Sequence, residues 1–506
     1  MSEPSKPQER ISRRVLLSGL GAVGLAAGMG AVAKAAYDPK APKQRPVIEG
    51  YADQLSVEAG DEIGLCVSTS SQTYAVEIAR VGLHRQVVWT KSGLRGAQYE
   101  VPENVSSHGC RWPVALRVPV SKEWRSGYYS VMLRATDSDV GGPASEGEAF
   151  FVVRSAHPGR DTSILIQLCT NTYAGYNDYG GSNFYGGPRT WRVSFDRPYQ
   201  GFADPKGFTA RYSGWRNWEQ HFVEWAERAG YRMDYAVNTD LEFYPEILGR
   251  YRLVLSVGHD EYWSSSMRDY LEVFIQRGGN VAFFSGNTAF WQVRSESGGR
   301  ALVCWKEAYD NKKNGDPVYG TSHQNLLTAM YCDRLVGRPE NSLTGVSFAW
   351  AGYHDFGGAF PDGDRAYTVH RPDHWIFEGT GLKRGDLLGQ KVKLVGYECD
   401  GCEIEWKDGL PFPTLRDGTP ESFQILGTTP AALSEGDRSI SRVADALYGR
   451  GSGKKHPQPG YAVLGSYTRG DSTVVTSGCT EWSNGLRSRD RQVDRITRNI
   501  LDRLSR

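Results

Sequence analysis

The chain is 506 residues long, 39% hydrophobic and 23% charged, and its 59 Lys and Arg are matched by 58 Asp and Glu for a formal net charge of +1. That length predicts two or three domains, and the composition excludes a disordered chain. The charge balance gives no footing for nucleic acid or an anionic membrane surface as a partner, while 14 Trp, 27 Tyr and 59 Gly point to many turns and aromatic-lined surfaces.

Residues 1–36 read as an export signal. Ser12-Arg13-Arg14-Val15-Leu16-Leu17 precedes an apolar, Gly/Ala-rich run to Ala33, and Ala33-Lys34-Ala35 offers a small-x-small cleavage site. Paired arginines before a moderate apolar run resemble the bacterial twin-arginine signal, whose route carries folded and often cofactor-loaded proteins. An N-terminal anchor with incidental arginines fits less well, because the run is short and glycine-rich for a span. No later run approaches the ~18 apolar residues of a span, so a periplasmic or secreted protein with no membrane span in its mature form is expected.

Residues 37–50, rich in Pro and Lys, read as a linker. From 51 to 156 the pattern is short and alternating: Ile63, Leu65 and Val67; Tyr74, Val76 and Ile78; Val114, Leu116 and Val118; Tyr129, Val131 and Leu133. Turn residues separate the runs, which predicts an Ig-like antiparallel β-sandwich of roughly seven strands. Eight cysteines are scattered along the chain, and only Cys399-Asp400-Gly401-Cys402 is close-spaced. One CxxC without a second pair is a weak metal or redox signal. Free thiols or a small disulfide loop are the plainer readings, with Cys304 and Cys332 available for a further bridge.

Residues 160–506 read differently. A buried strand, Ser163 to Leu168, runs into a loop crowded with Tyr173, Tyr176, Tyr179 and Tyr185. Trp215, Trp218, Phe222, Trp225 and Ala229 then fit one helical face. Val254 to Val257 is a second apolar run that ends in Gly258-His259-Asp260-Glu261-Tyr262-Trp263. Behind a serine N-cap, Met267, Tyr270, Leu271, Phe274 and Ile275 recur at helical spacing before Val281-Ala282-Phe283-Phe284 and Asn287. Strand, helix, strand predicts an α/β domain with a mostly parallel sheet, and the loops leaving the carboxyl ends of such strands form the ligand crevice. Residues 300–440 read as β-rich elaboration, and a last strand, Ser472 to Thr476, precedes a closing helix with Val493, Ile496, Ile500 and Leu501 on one face.

His259-Asp260-Glu261 at a strand end is the strongest chemical signal. Its plainer reading is a turn whose carboxylates serve the following helix N-terminus. The chain contains no HExxH and no GxSxG, which disfavours a zinc protease and a serine α/β-hydrolase. A thiol hydrolase would have to use Cys169, which has no partner histidine beyond His259. Phenol and carboxylate oxygens together, the tyrosine-rich loop with Glu261, suit ferric iron better than zinc.

The runs Asn171-Thr172-Tyr173-Ala174-Gly175-Tyr176-Asn177-Asp178-Tyr179-Gly180-Gly181, Ser194-Phe195-Asp196-Arg197-Pro198-Tyr199 and Gly258-His259-Asp260-Glu261-Tyr262-Trp263 resemble the large (beta) subunit of N,N-dimethylformamidase. Gly286-Asn287, Val395-Gly396-Tyr397-Glu398 and Thr480-Glu481-Trp482-Ser483 extend the resemblance over most of 160–506, and Ser126-Gly127-Tyr128-Tyr129 carries it further upstream. The resemblance implies a class I amidotransferase-like, flavodoxin-like core and an amidohydrolase using one ferric iron (Fe3+) held by two tyrosines and a glutamate. Carried over, Glu261, Tyr176 and Tyr129 are the expected ligands. His259 orients a ligand or water, Asn287 bonds substrate and Glu398 is the general base. The expected protein is an exported iron hydrolase cleaving an amide-like C–N bond of a small molecule; a homo-oligomer is compatible with the sequence. The alternative is a non-catalytic exported binding protein for carbohydrate or another envelope ligand.

Replacing Arg13 and Arg14 with Lys is expected to hold the protein in the cytoplasm with its first ~35 residues uncleaved. Cell fractionation with mass measurement checks this, and unchanged export of the variant removes the signal assignment.

Overall fold

Two β-sheets fill the segment from Ile48 to Arg154 in the computed structural model, which describes residues 47–136, 145–186, 188–356, 364–433 and 460–506. The expected export signal and residues 37–46 of the expected linker lie outside the described residues, and Ile48–Ala52 is already a strand. A three-stranded and a five-stranded sheet enclose one apolar core that includes Ile63, Val76, Ile78, Val118, Val131 and Phe151. Pairing is not purely antiparallel, because Ser56–Glu58 runs parallel to Val152–Arg154.

The period-two rule decides what each face of this segment does. On the strand Gly127–Ala135, Tyr129 points into the core between the sheets, where it stacks on Trp124 and Phe151. Tyr128 points the other way and lies flat on Trp215, with ring centroids 4.3 Å apart and an interplanar angle of 2°. Arg80 pairs with Glu227 at 2.7 Å, and the Ser56 hydroxyl donates to Asp240. These contacts join the first segment to the rest within one compact unit, Pro46–Arg506.

The expectation of a mostly parallel, flavodoxin-like α/β core is not met. The principal sheet has nine strands and is mixed. Asp234–Val237, Ile164–Leu168, Leu253–His259, Asn280–Gly286 and Ser472–Thr476 lie side by side and parallel. Beyond them Gly460–Arg469, Gln424–Ala431, Tyr367–Val369 and Leu387–Leu388 continue the sheet antiparallel. The switch has a local cause. Only Gly470 and Asp471 separate Gly460–Arg469 from Ser472–Thr476, with Gly470 at φ +59°, and a two-residue turn can only join antiparallel neighbours. Further short sheets, most of their pairings antiparallel, make the protein β-rich overall.

Both faces of the nine-stranded sheet are covered. One packs on Phe222, Val223 and Ala226 of the helix Glu219–Arg228 and on Val493, Ile496 and Ile500 of the helix Arg491–Leu504. The other packs on Met267, Leu271, Phe274 and Ile275 of the helix Ser265–Gln276, whose N-terminus is capped by the Ser264 hydroxyl. Tyr270, expected on the buried stripe of that helix, is 41% exposed. All eight cysteines are buried free thiols, so neither Cys304–Cys332 nor Cys399–Cys402 is bridged.

Glu227 also accepts the Leu83 N–H at 2.7 Å. Burial pushes its carboxyl up, but Arg80 outweighs burial and holds it below the ordinary value. Glu227→Gln is expected to cost about 2–3 kcal/mol at pH 7, because Arg80 is then left nearly buried and unpaired. A lowered folded-state pKa stabilises fully above the unfolded value and loses that contribution as pH falls through the folded one. The difference in urea midpoint between wild type and variant should therefore shrink below about pH 4; equal midpoints at pH 7 would show that the pair does not hold the segments together.

Candidate functional site

The apolar strand Leu253–His259 is buried along its whole length and ends where its sequence becomes polar. Gly258 has φ +86°, and a Cβ there would stand 2.5 Å from the Trp218 Cβ, so only glycine fits this close approach. The next residues face different ways. Asp260 turns inward and accepts from Ser256 (2.7 Å), Gln167 (3.0 Å) and Asn238 (3.1 Å). It anchors the turn and does not cap the helix, which Ser264 caps instead. Glu261 is buried too, its own N–H donating to the Thr172 hydroxyl at 2.9 Å.

His259 stands between two carboxylates. Its Nε2 is 2.6 Å from Glu398 Oε2 and 3.3 Å from Glu261 Oε2, and its Nδ1–H donates to the Tyr212 carbonyl at 2.8 Å. Among the described residues neither Nε2 nor Glu261 Oε2 has a hydrogen-bond partner, so the attraction between them is that of charges in contact. Burial disfavours a charged imidazole, yet Glu398 and Glu261 outweigh it and raise the His259 pKa well above its ordinary value. The carboxylates diverge. Burial raises Glu398, whereas for Glu261 the effect of burial is overcome by His259 and Lys306, which lower it. Asn287 follows the strand Asn280–Gly286 and donates its side-chain N–H to Glu398 Oε2 at 3.2 Å. Both contacts to Glu398 fall on Oε2; among the described residues its Oε1 has no partner.

His259, Glu261, Glu398, Asn287 and Tyr176 are thus brought together, the last with its ring 5.3 Å from the imidazole. Tyr129 is not. Its hydroxyl donates to the Arg125 carbonyl at 2.7 Å inside the first segment's core, away from Glu261, and the expected pairing with Tyr176 is not formed. The alternation with Val131 and Leu133 already marked it as a core position.

The tyrosine beside Glu261 is Tyr185, which donates to Glu261 Oε1 and accepts from the Tyr262 hydroxyl at 2.8 Å. Lys306 lies over this tyrosine: it is buried, and its ammonium lies 3.3 Å from the Tyr185 ring centroid and 4.9 Å from that of Trp291. Burial lowers its pKa to about 8, with Glu261 opposing. Tyr185 belonged to the tyrosine cluster in the sequence but stood out from it in no way. Lys306 gave no signal at all, lying in an aperiodic stretch with φ +54°.

Among the described residues no group of three His, Cys, Asp or Glu side chains is arranged to hold a metal ion. Any cation here would draw on phenol oxygen. Glu261 Oε2 is buried without a hydrogen-bond partner among the described residues, and the Tyr176 hydroxyl makes a long 3.5 Å contact to that of Tyr397. Tyr176, Tyr185 and Glu261 therefore present hard oxygen donors of the kind ferric iron prefers.

Residues 75–495 match the family described as N,N-dimethylformamidase beta subunit-like, C-terminal. The N,N-dimethylformamidase beta subunits of Paracoccus aminophilus and of an Alcaligenes species are 22% and 24% identical over 457 and 462 residues. Each alignment covers 78% of this chain and 54% of the relative, so the chain spans about half the length of the curated relatives it matches. Among solved structures, domain 1 of VCBP3 from Branchiostoma floridae aligns with 22% of this chain and 98% of its own at 13% identity and a TM-score of 0.16, too slight a likeness to assign a fold. With a match across more than four-fifths of its length, the chain belongs to the N,N-dimethylformamidase beta subunit-like, C-terminal family.

Proposed function

We propose that this protein is an exported hydrolase that cleaves the amide C–N bond of a small molecule. The observation that carries the reading is the buried imidazole held between Glu398 and Glu261 at the carboxyl end of the strand Leu253–His259. The family relationship supports the same reaction class. Glu398 is the general base, since Asn287 and His259 both engage Oε2 and leave Oε1 to take a proton from water. The water oxygen then bonds to the amide carbonyl carbon. As the C–N bond breaks, the proton held by Glu398 passes to the departing nitrogen, giving a carboxylic acid and an amine. Asn287 Oδ1, buried and without a partner among the described residues, is an acceptor for an N–H of that amine. The charged His259 offsets the two carboxylates and fixes their orientation.

Tyr176, Tyr185 and Glu261 would hold one ferric ion, with Tyr185 taking the part that the resemblance gave to Tyr129. Bound there, it supplies Lewis-acid polarisation of the carbonyl.

The protein purified after expression with iron supplied is expected to contain about one iron per chain and to show a visible phenolate-to-iron band. Tyr185→Phe and Glu261→Ala should lose iron or shift the band, and Tyr129→Phe should keep both. A colourless, iron-free wild type that binds glycan saturably would replace the hydrolase with a binding protein.

Glu398→Gln is expected to retain iron and lower kcat on N,N-dimethylformamide, the compound for which the relatives are named, by roughly 10²–10⁴-fold with little change in KM. Steady-state kinetics on the metal-quantified variant checks this; wild-type kcat in Glu398→Gln would remove Glu398 as the base.

A further inference from the structure

Asn287 holds Glu398, but something must hold Asn287. Its backbone has φ +49°, and Ala289 two residues on has φ +53°. Such values are uncommon for residues other than glycine and persist only where the surroundings impose them. The loop has little room to relax. A Cβ at Gly286 would stand 2.6 Å from the Glu398 carbonyl and 2.7 Å from the Thr480 nitrogen, so the backbone at 286 lies directly on the strand Glu398–Gly401.

Asp400 is two residues beyond Glu398 on that strand, and period two puts both side chains on one face. Its carboxylate spans the loop, with Oδ1 accepting the Asn287 N–H at 2.8 Å and Oδ2 the Thr288 N–H at 3.2 Å. Asp400, Asn287 and Glu398 are all buried, so these bonds do not compete with bulk water.

We infer that Asp400 is a positioning residue: by clamping the two successive N–H groups it fixes the left-handed turn at Asn287, and the Asn287 amide in turn fixes Glu398 Oε2 and leaves Oε1 free. The catalytic consequence rests on the hydrolase reading; the clamp itself does not.

Asp400→Asn keeps the shape but offers one carbonyl oxygen and one NH2 to two N–H donors, so one bond is lost and two donors face each other. The full-length protein, Asp400→Asn, Asn287→Ala and the double variant are compared in two measurements. The first is hydrogen exchange, followed by mass spectrometry, of the peptide spanning 286–289. Asp400→Asn should exchange there about tenfold faster or more, while peptides from the helix Arg491–Leu504 keep their wild-type protection. The second is turnover of N,N-dimethylformamide. Asp400→Asn should lose on the order of 100-fold in kcat, as expected for a displaced catalytic group, with KM within threefold. The double variant should be no slower than Asn287→Ala, because Asp400 acts through Asn287. Unchanged exchange at 286–289, or losses that multiply in the double variant, overturns the inference. If the wild type turns over no amide, the hydrolase reading falls and the exchange result alone decides the clamp. Should Asp400→Asn not fold, Asp400→Ser, too short to reach both N–H groups, repeats both measurements.

Discussion

Bringing an imidazole and two carboxylates into a buried space is costly, since each charge loses its hydration and an unpaired one would destabilise the fold by several kcal/mol. The contacts His259–Glu398 and His259–Glu261 are tolerable only because charge is balanced locally. Burial pushes the Glu398 carboxyl up, while the positive charge of Lys306 adds to that of His259 in holding the Glu261 carboxyl down. Lys306 is itself stabilised by the faces of Tyr185, Tyr262 and Trp291, which give a desolvated cation up to about 2 kcal/mol. Left-handed backbone occurs at Lys306, Asn287 and Ala289, where buried hydrogen bonds take up the N–H groups: the Thr328 carbonyl that of Lys306, Asp400 that of Asn287 and the Asp260 carbonyl that of Ala289.

The turn bearing His259 is rigid for a second reason. Asp260, between the two functional residues, is tied to Ser256, Gln167 and Asn238, which come from three different segments. His259 and Glu261 are thus fixed from beneath by a residue that takes no part in their chemistry. The Tyr212 carbonyl sets the ring orientation by accepting a hydrogen bond from Nδ1–H, so Nε2 is the nitrogen turned to the carboxylates.

The mixed sheet explains how the site draws its parts from distant sequence. His259 and Asn287 leave neighbouring parallel strands, in register as His259 opposite Gly286. Glu398 arrives on a separate strand, Glu398–Gly401, paired antiparallel with Ser347–Tyr353 and with an isolated antiparallel backbone pairing of Cys399 with Cys479, just beyond the main-sheet strand Ser472–Thr476. The parallel half supplies a row of strand ends pointing one way, and the antiparallel half extends the sheet and returns the chain to it.

The sequence alone determined the strand, turn and helix around Gly258-His259-Asp260-Glu261, because a buried apolar run, an obligatory glycine and a serine cap are local features with local causes. It determined that Glu261, Tyr176, Asn287 and Glu398 were worth joining, through motifs whose order along the chain is specific. It misjudged the sheet as mostly parallel, because strands buried on both faces lose the alternation that distinguishes one direction of pairing from another. Tertiary structure decided which tyrosine stands by Glu261. Tyr129 and Tyr185 differ only in where their strand or loop is folded, and period two commits Tyr129 to a core while an aperiodic loop brings Tyr185 to the carboxylate. It alone placed Lys306 and Asp400, whose roles come from partners up to about 120 residues away and leave no periodic trace in the chain.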